Sequence, residues 1–213
     1  MMSHSICENI KEIKQEIENV KLVVVSKFRS IPELEEVYNC GHRNFGENRV
    51  QELVPKAEQL PKDIKWHAIG HLQTNKIKYI APFVHLIHSV DSFKLLTAIN
   101  KEAKKNNRVI SFLFQIHIAQ EDTKFGLSIE ELETIITSEE YALLENVECK
   151  GLMGMATFTD NTEQVKKEFE YLHNAFKLYG KNWDTLSMGM SGDYPIAIEC
   201  GSTMIRVGSK VFN

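Results

Sequence analysis

A closed (β/α)8 barrel with an extra N-terminal helix is the α/β fold that the sequence predicts, and three observations point to it. Eight short apolar or β-branched runs occur, at 22–27, 43–46, 66–70, 84–90, 110–118, 149–155, 185–190 and 204–208. Helical patterns alternate with them throughout, which implies parallel strands joined by helical crossovers. No composition break, linker or fixed-period repeat interrupts the series, and eight such units favour closure over an open doubly wound sheet. The 213 residues fall below the roughly 250 typical of this barrel, so short loops and a single domain spanning 1–213 are expected.

Each helix carries its own punctuation. Ile6, Ile10, Ile13, Ile17 and Val20 recur at steps of four and three, the spacing of an amphipathic helix before the first strand. Pro32 opens the next helix and Gly41 closes it; Asp91-Ser92 starts another; Ser128 to Glu131 matches a capping box. Asp160-Asn161-Thr162 precedes a long segment ending at Gly180, and Gly201 ends the last helix.

Twenty-five basic against 29 acidic side chains, a formal charge of −4, leave no basic footprint for nucleic acid and no polybasic membrane surface. No apolar stretch approaches the roughly 18 residues of a membrane span. Cys7, Cys40, Cys149 and Cys200 are far apart without CxxC spacing, and no secretory leader precedes them. Reduced thiols and a cytoplasmic location are the expectation.

In such barrels the residues at strand C-termini face the site. Val23, Val25 and Lys27 share one face of the first strand, so Lys27 stands at its mouth. A partly desolvated amine there is suited to condense with an aldehyde, against the alternative of a strand-end lysine that reaches into water. After strands seven and eight, Gly189-Met190-Ser191-Gly192-Asp193 and Arg206-Val207-Gly208-Ser209 bring glycines, hydroxyls and helix starts to the two positions where this architecture commonly binds phosphate. With Ile205 and Val207 facing the helices, Arg206 points into the barrel. It then requires an anion or acceptor: an ion pair with Glu199 or Glu47, or else a phosphate or a cofactor ring nitrogen.

A Schiff-base lysine and a phosphate cup together call for a ligand that is both carbonyl and phosphate, which pyridoxal 5′-phosphate (PLP) satisfies. A sugar-phosphate aldolase is disfavoured because Lys150 lies at the beginning of its strand. No metal site is expected: His67 and His71 fall about 13 Å apart on a strand, and His85 and His88 point to opposite faces, so hydrogen-bonded or core histidines are the better reading. Met153, Met155, Met188 and Met190 read as core filler first, with Met155 and Met190, at strand ends, also placed to line a ring. Lys124, in the loop after strand five, reads as solvated.

The blocks VVVSK at 23–27, NFGENRVQEL at 44–53, WHAIGHLQTNK at 66–76, HSVDS at 88–92, KFGL at 124–127, GLMGMA at 151–156, LSMGMSGD at 186–193 and GSTMIRVGS at 201–209 resemble the pyridoxal phosphate homeostasis proteins, the YggS/PROSC family, across nearly the whole chain. The resemblance implies a fold type III PLP barrel with Lys27 forming the internal aldimine. Asn48 would lie near the phenolic side of the cofactor, and Met190, Ser191, Gly192, Arg206, Gly208 and Ser209 would surround its phosphate and ring. It further implies vitamin B6 homeostasis without established catalytic turnover, with PLP-dependent apo-enzymes as recipients. Ser209 stands where relatives often have threonine, which keeps the hydroxyl. The chain stops after strand eight, where larger racemases of this fold type add a β-domain; a minimal racemase-like enzyme, its missing acid or base supplied by a partner or by a local residue such as His71 or Tyr194, is the alternative.

Overall fold

The computed structural model describes residues 5–121 and 125–213; Lys124 lies outside them. Eight parallel strands close in sequential order: β1 (Lys21–Val25), β2 (Asn44–Glu47), β3 (Lys65–Ala68), β4 (Leu86–Val90), β5 (Ile110–Gln115), β6 (Val147–Met153), β7 (Thr185–Ser187) and β8 (Met204–Val207). The last strand pairs with the first, with Val23 opposite Arg206. The expected barrel is therefore present, with most strands ending earlier than the apolar runs suggest, because the run continues into the loop after pairing stops.

The helices obey their local signals. Helix α1 (Ile6–Ile17) starts at a Ser5–Glu8 capping box and buries Ile10, Ile13 and Ile17. Helix α2 (Ile31–Asn39) has Pro32 in its first turn and a Ser30–Glu33 box. Helix α3 (Val50–Gln59) follows β2, a short helix α4 (Ile77–Ile80) follows β3, and α5 (Phe93–Lys105) is capped by the Ser92 side chain. Ser128 caps α6 (Ile129–Ile136), which is followed by α7 (Glu139–Ala142). Asn161 caps α8 (Thr162–Tyr179), while α9 (Tyr194–Glu199) and α10 (Ser209–Phe212) follow β7 and β8.

Alternation along the strands separates two cores. Val24, Phe45, Ile87, Phe112, Ile205 and Val207 belong to the layer between sheet and helices, whereas Val23, Leu86, Leu113, Met153 and Met204 cluster apart from it, with Met155 packed against them. These five share the inward parity of their strands, so the barrel is filled by side chains.

Helix α1 is tied to the barrel's C-terminal side. The Asn9 Nδ2 donates to the Val211 and Asn213 carbonyls at 3.0 and 3.3 Å. Cys7 is joined to Cys40 by a disulfide, Cα–Cα 5.4 Å, although they lie 33 residues apart. This corrects the expectation of four free thiols: linear spacing conceals that α1 packs on α2 and brings the two together. Cys149 and Cys200 remain free.

Candidate functional site

Two shallow clefts open where the strand-end residues gather. Ser191 and Ser209, eighteen positions apart in sequence, line one of about 370 Å³ together with Asn9, Ile13 and Lys210. The Ser191 Oγ accepts from the Gly208 N–H at 3.3 Å, so the loops after β7 and β8 are joined to each other. Gly189 makes this turn possible: its φ is +98°, and a Cβ there would meet the Ala197 Cβ at 2.7 Å. Met190 and Gly192 are exposed on the same turn, which the Asp193 carboxylate closes by accepting from the Met190 N–H.

Asn48 lines the other cleft, of about 470 Å³, with Arg49, Glu52, His71 and Lys76. Gly70 brings β3's exit against it, since a Cβ on Gly70 would lie 2.3 Å from the Asn48 carbonyl.

Lys27 lines neither cleft, but the chain on each side of it contacts residues beside one of them. A Cβ on Gly208 would touch Val25 at 3.2 Å, and on the other side the Phe28 N–H donates to Glu52 Oε2 at 3.1 Å. The lysine is exposed, however, rather than partly desolvated at the strand mouth. Strand pairing ends with Val25 opposite Gly46, and the chain then turns outward through Phe28, whose φ is +60°.

Arg206 points into the barrel, as the strand parity predicts, and is 3 % exposed. Neither Glu199 nor Glu47 is its hydrogen-bonding partner. Its Nη1 donates to Ser187 Oγ at 2.6 Å and its Nη2 to the Gly154 carbonyl at 3.2 Å. Burial pulls the guanidinium down to about 10, opposed by the charge of Asp193, so it remains a cation at neutral pH.

Behind Arg206 runs a chain of polar side chains that the sequence reading reached only as core or hydrogen-bonded histidines. Ser187 Oγ lies 3.0 Å from His88 Nδ1, His88 Nε2 is 2.9 Å from His67 Nδ1, and His67 Nε2 is 3.2 Å from Asn44 Oδ1. Arg206 only donates and Asn44 Oδ1 only accepts, so with both rings neutral one proton arrangement satisfies every contact. Burial, reinforced by neighbouring positive groups, holds both rings well below the usual histidine range. His85 precedes β4, where the period of two no longer applies, and its ring also lies against His67, centroids 5.3 Å apart. Among the described residues no His, Cys, Asp or Glu cluster fit for a metal is present.

The two groups weighed as local acid or base are otherwise engaged. The Tyr194 hydroxyl bonds with Glu16 and Lys210, and burial raises its pKa. His71 Nδ1 lies 3.1 Å from Asp91 Oδ2, with its ring stacked on Phe125.

The barrel defines a protein class: residues 3–213 match the family model of the alanine racemase N-terminal domain. Relatives called pyridoxal phosphate homeostasis protein include one from Aquifex aeolicus, 38 % identical with 97 % of this chain and 96 % of the relative aligned, and one from Helicobacter pylori, 39 % identical over 91 % and 87 %. The chain belongs to the pyridoxal phosphate homeostasis protein family. The structure of PipY from Synechococcus elongatus with PLP bound is 30 % identical and superposes with a TM-score of 0.88, covering 98 % of this chain and 100 % of PipY. Alanine racemase from Clostridium difficile shares the fold, TM-score 0.79 at 14 % identity, and this chain spans 56 % of that one.

Proposed function

We propose that this protein binds PLP covalently at Lys27 and holds it in reserve, as a homeostasis protein that supplies the cofactor to apo-enzymes. The observation that carries this reading is the joining of Ser191 and Ser209 in one cleft beside the Lys27 loop, with a buried cation behind. Ser191, Ser209 and the N–H groups opening α10 would take the phosphate, Arg206 the ring, and Asn48 the phenolic side. When bound, PLP supplies an electron-withdrawing ring and an aldehyde that bonds to an amine. The residues fit such a group, because a fully buried guanidinium whose direct partners are a hydroxyl and a carbonyl is suited to a further acceptor.

Arg206 stays charged and the histidines behind it are neutral with their protons already committed, so Arg206 offers a ring nitrogen a hydrogen bond and no proton is available from behind it. An unprotonated ring is a weak electron sink, in keeping with storage rather than turnover. Cytoplasmic residence is proposed on this role alone, since the Cys7–Cys40 disulfide removes the argument from reduced thiols. No helix among the described residues is long and apolar enough to cross a membrane.

Titration of the purified protein with PLP should give a visible absorbance that borohydride fixes onto the chain. Lys27→Ala should abolish it while leaving the melting temperature within about 2 °C, since an exposed side chain contributes little packing. A borohydride-stable adduct in that variant would move the attachment elsewhere. With L-amino acids in deuterated water the loaded protein should show no α-proton exchange with racemisation at rates near 1 per second, the lower range of ordinary enzymes; such exchange would establish a minimal racemase instead.

A further inference from the structure

We infer that the buried Glu47–Lys56 pair, with Glu52, is a positioning device that fixes Lys27 and Asn48 relative to one another for the cofactor. This rests on the reading of Lys27 as the attachment point and deepens it. Lys56, on α3, and Glu47, at the end of β2, lie 2.7 Å apart with side-chain exposures of 9 % and 0 %. Their remaining bonds go to the backbone and side chains beside the two cofactor residues. Lys56 Nζ donates to the Ser26 carbonyl at 2.7 Å. Glu47 Oε2 accepts from Ser26 Oγ at 2.7 Å, and its Oε1 from the Asn48 N–H at 3.1 Å. Glu52 Oε2, 3.4 Å from Lys56, accepts from the Phe28 N–H.

The residues on both sides of Lys27 are thus held by one group of charges, and a single carboxylate spans from Ser26 to Asn48. Lys27 is exposed, and these contacts restrain its loop together with the Ser26 N–H to Gly46 carbonyl and Arg29 N–H to Ser26 carbonyl bonds. The positive φ of Phe28 is retained by the same Glu52 contact. Stability alone does not account for the pair, because a buried ion pair is often matched or exceeded by apolar residues of similar volume. Apart from the Lys56–Glu52 contact within α3, its hydrogen bonds are directed at the two loops that carry cofactor residues, as a registering role requires. A glutamine at 47 keeps one acceptor oxygen for the Asn48 N–H and carries no charge to hold Lys56, so the ionic part of the link is lost.

The test compares wild type, the charge-removing double variant Glu47→Gln/Lys56→Met, and Glu52→Ala, whose part-exposed side chain leaves folding intact. Melting temperature and far-UV circular dichroism report folding. Stopped-flow absorbance reports bond formation at Lys27 with PLP and with unphosphorylated pyridoxal. The double variant should react about 10- to 100-fold more slowly with both aldehydes, the loss expected when a reacting group is misplaced by about an ångström. Glu52→Ala should show a smaller slowing. The ratio of PLP to pyridoxal affinity should be unchanged, since the phosphate loops are untouched, and the visible circular dichroism of bound PLP should weaken as its orientation loosens. A folded double variant that captures both aldehydes at the wild-type rate with unchanged visible dichroism would overturn the positioning role alone. A wild-type chain that takes up no PLP at Lys27 would overturn the proposed function itself. If the double variant fails to fold, a wild-type rate in Glu52→Ala would overturn the role, and a slowed rate would support it.

Discussion

Ser191 and Ser209 are the residues at which anion recognition is most directly tested. Each hydroxyl bonded to a charged phosphate contributes about 1.5–3 kcal/mol, so the Ser191→Ala/Ser209→Ala double variant should lose roughly a hundredfold or more in PLP affinity. Pyridoxal, without a phosphate, should be affected far less. Equilibrium titration with the two aldehydes measures the difference, and equal losses would show that neither serine meets phosphate. Both positions were legible in the sequence from glycine-serine turns after the last two runs. What could not be read was the local state of Lys27. Parity places it on the inward face, but whether the amine is buried depends on where strand pairing stops. The Glu47–Lys56 pair left only an i,i+4 trace, Glu52 with Lys56 on α3, because its other contacts join residues up to 30 positions apart.

At the scale of elements, the turn between β7 and α9 is built around Gly189. An alanine there must adopt φ near +98° and place its Cβ 2.7 Å from that of Ala197. The left-handed conformation alone costs about 1–2 kcal/mol, so Gly189→Ala should lower the melting temperature and displace Ser191. Calorimetry together with PLP titration checks both effects; unchanged values would mean that the turn relaxes without cost. Eight strands in order were visible as apolar runs because a parallel barrel strand is buried on both faces. The Cys7–Cys40 link and the contact of α1 with α10 were not visible, since they depend on how helices settle against one another after the barrel closes.

For the whole molecule, His42, His67 and His88 set the acid limit of stability. Burial lowers His42 to about 4, from an ordinary value of 6.5, and holds the other two well below that value. The folded pKa values lie below the unfolded ones, so the unfolded chain binds more protons and stability falls as pH drops below 6.5. Each ring adds to this loss in that window. Denaturant midpoints should therefore be lower at pH 5.5 than at pH 7.5, and His42→Gln should narrow the difference; equal midpoints at the two pH values would show that these rings are protonated in the folded state.

The one-way line of hydrogen bonds from Arg206 to Asn44 has a consequence for how the molecule can be observed. The Nε2 protons of His67 and His88 are shut away from water and each is directed at a single acceptor, so they should exchange with solvent slowly and stand as two separate low-field resonances. Hydrogen bonds in series polarise one another. An acceptor meeting Arg206 at the mouth would thereby change the shielding of both protons down to Asn44. The interior of the barrel would act as a native magnetic indicator of what its open end is holding.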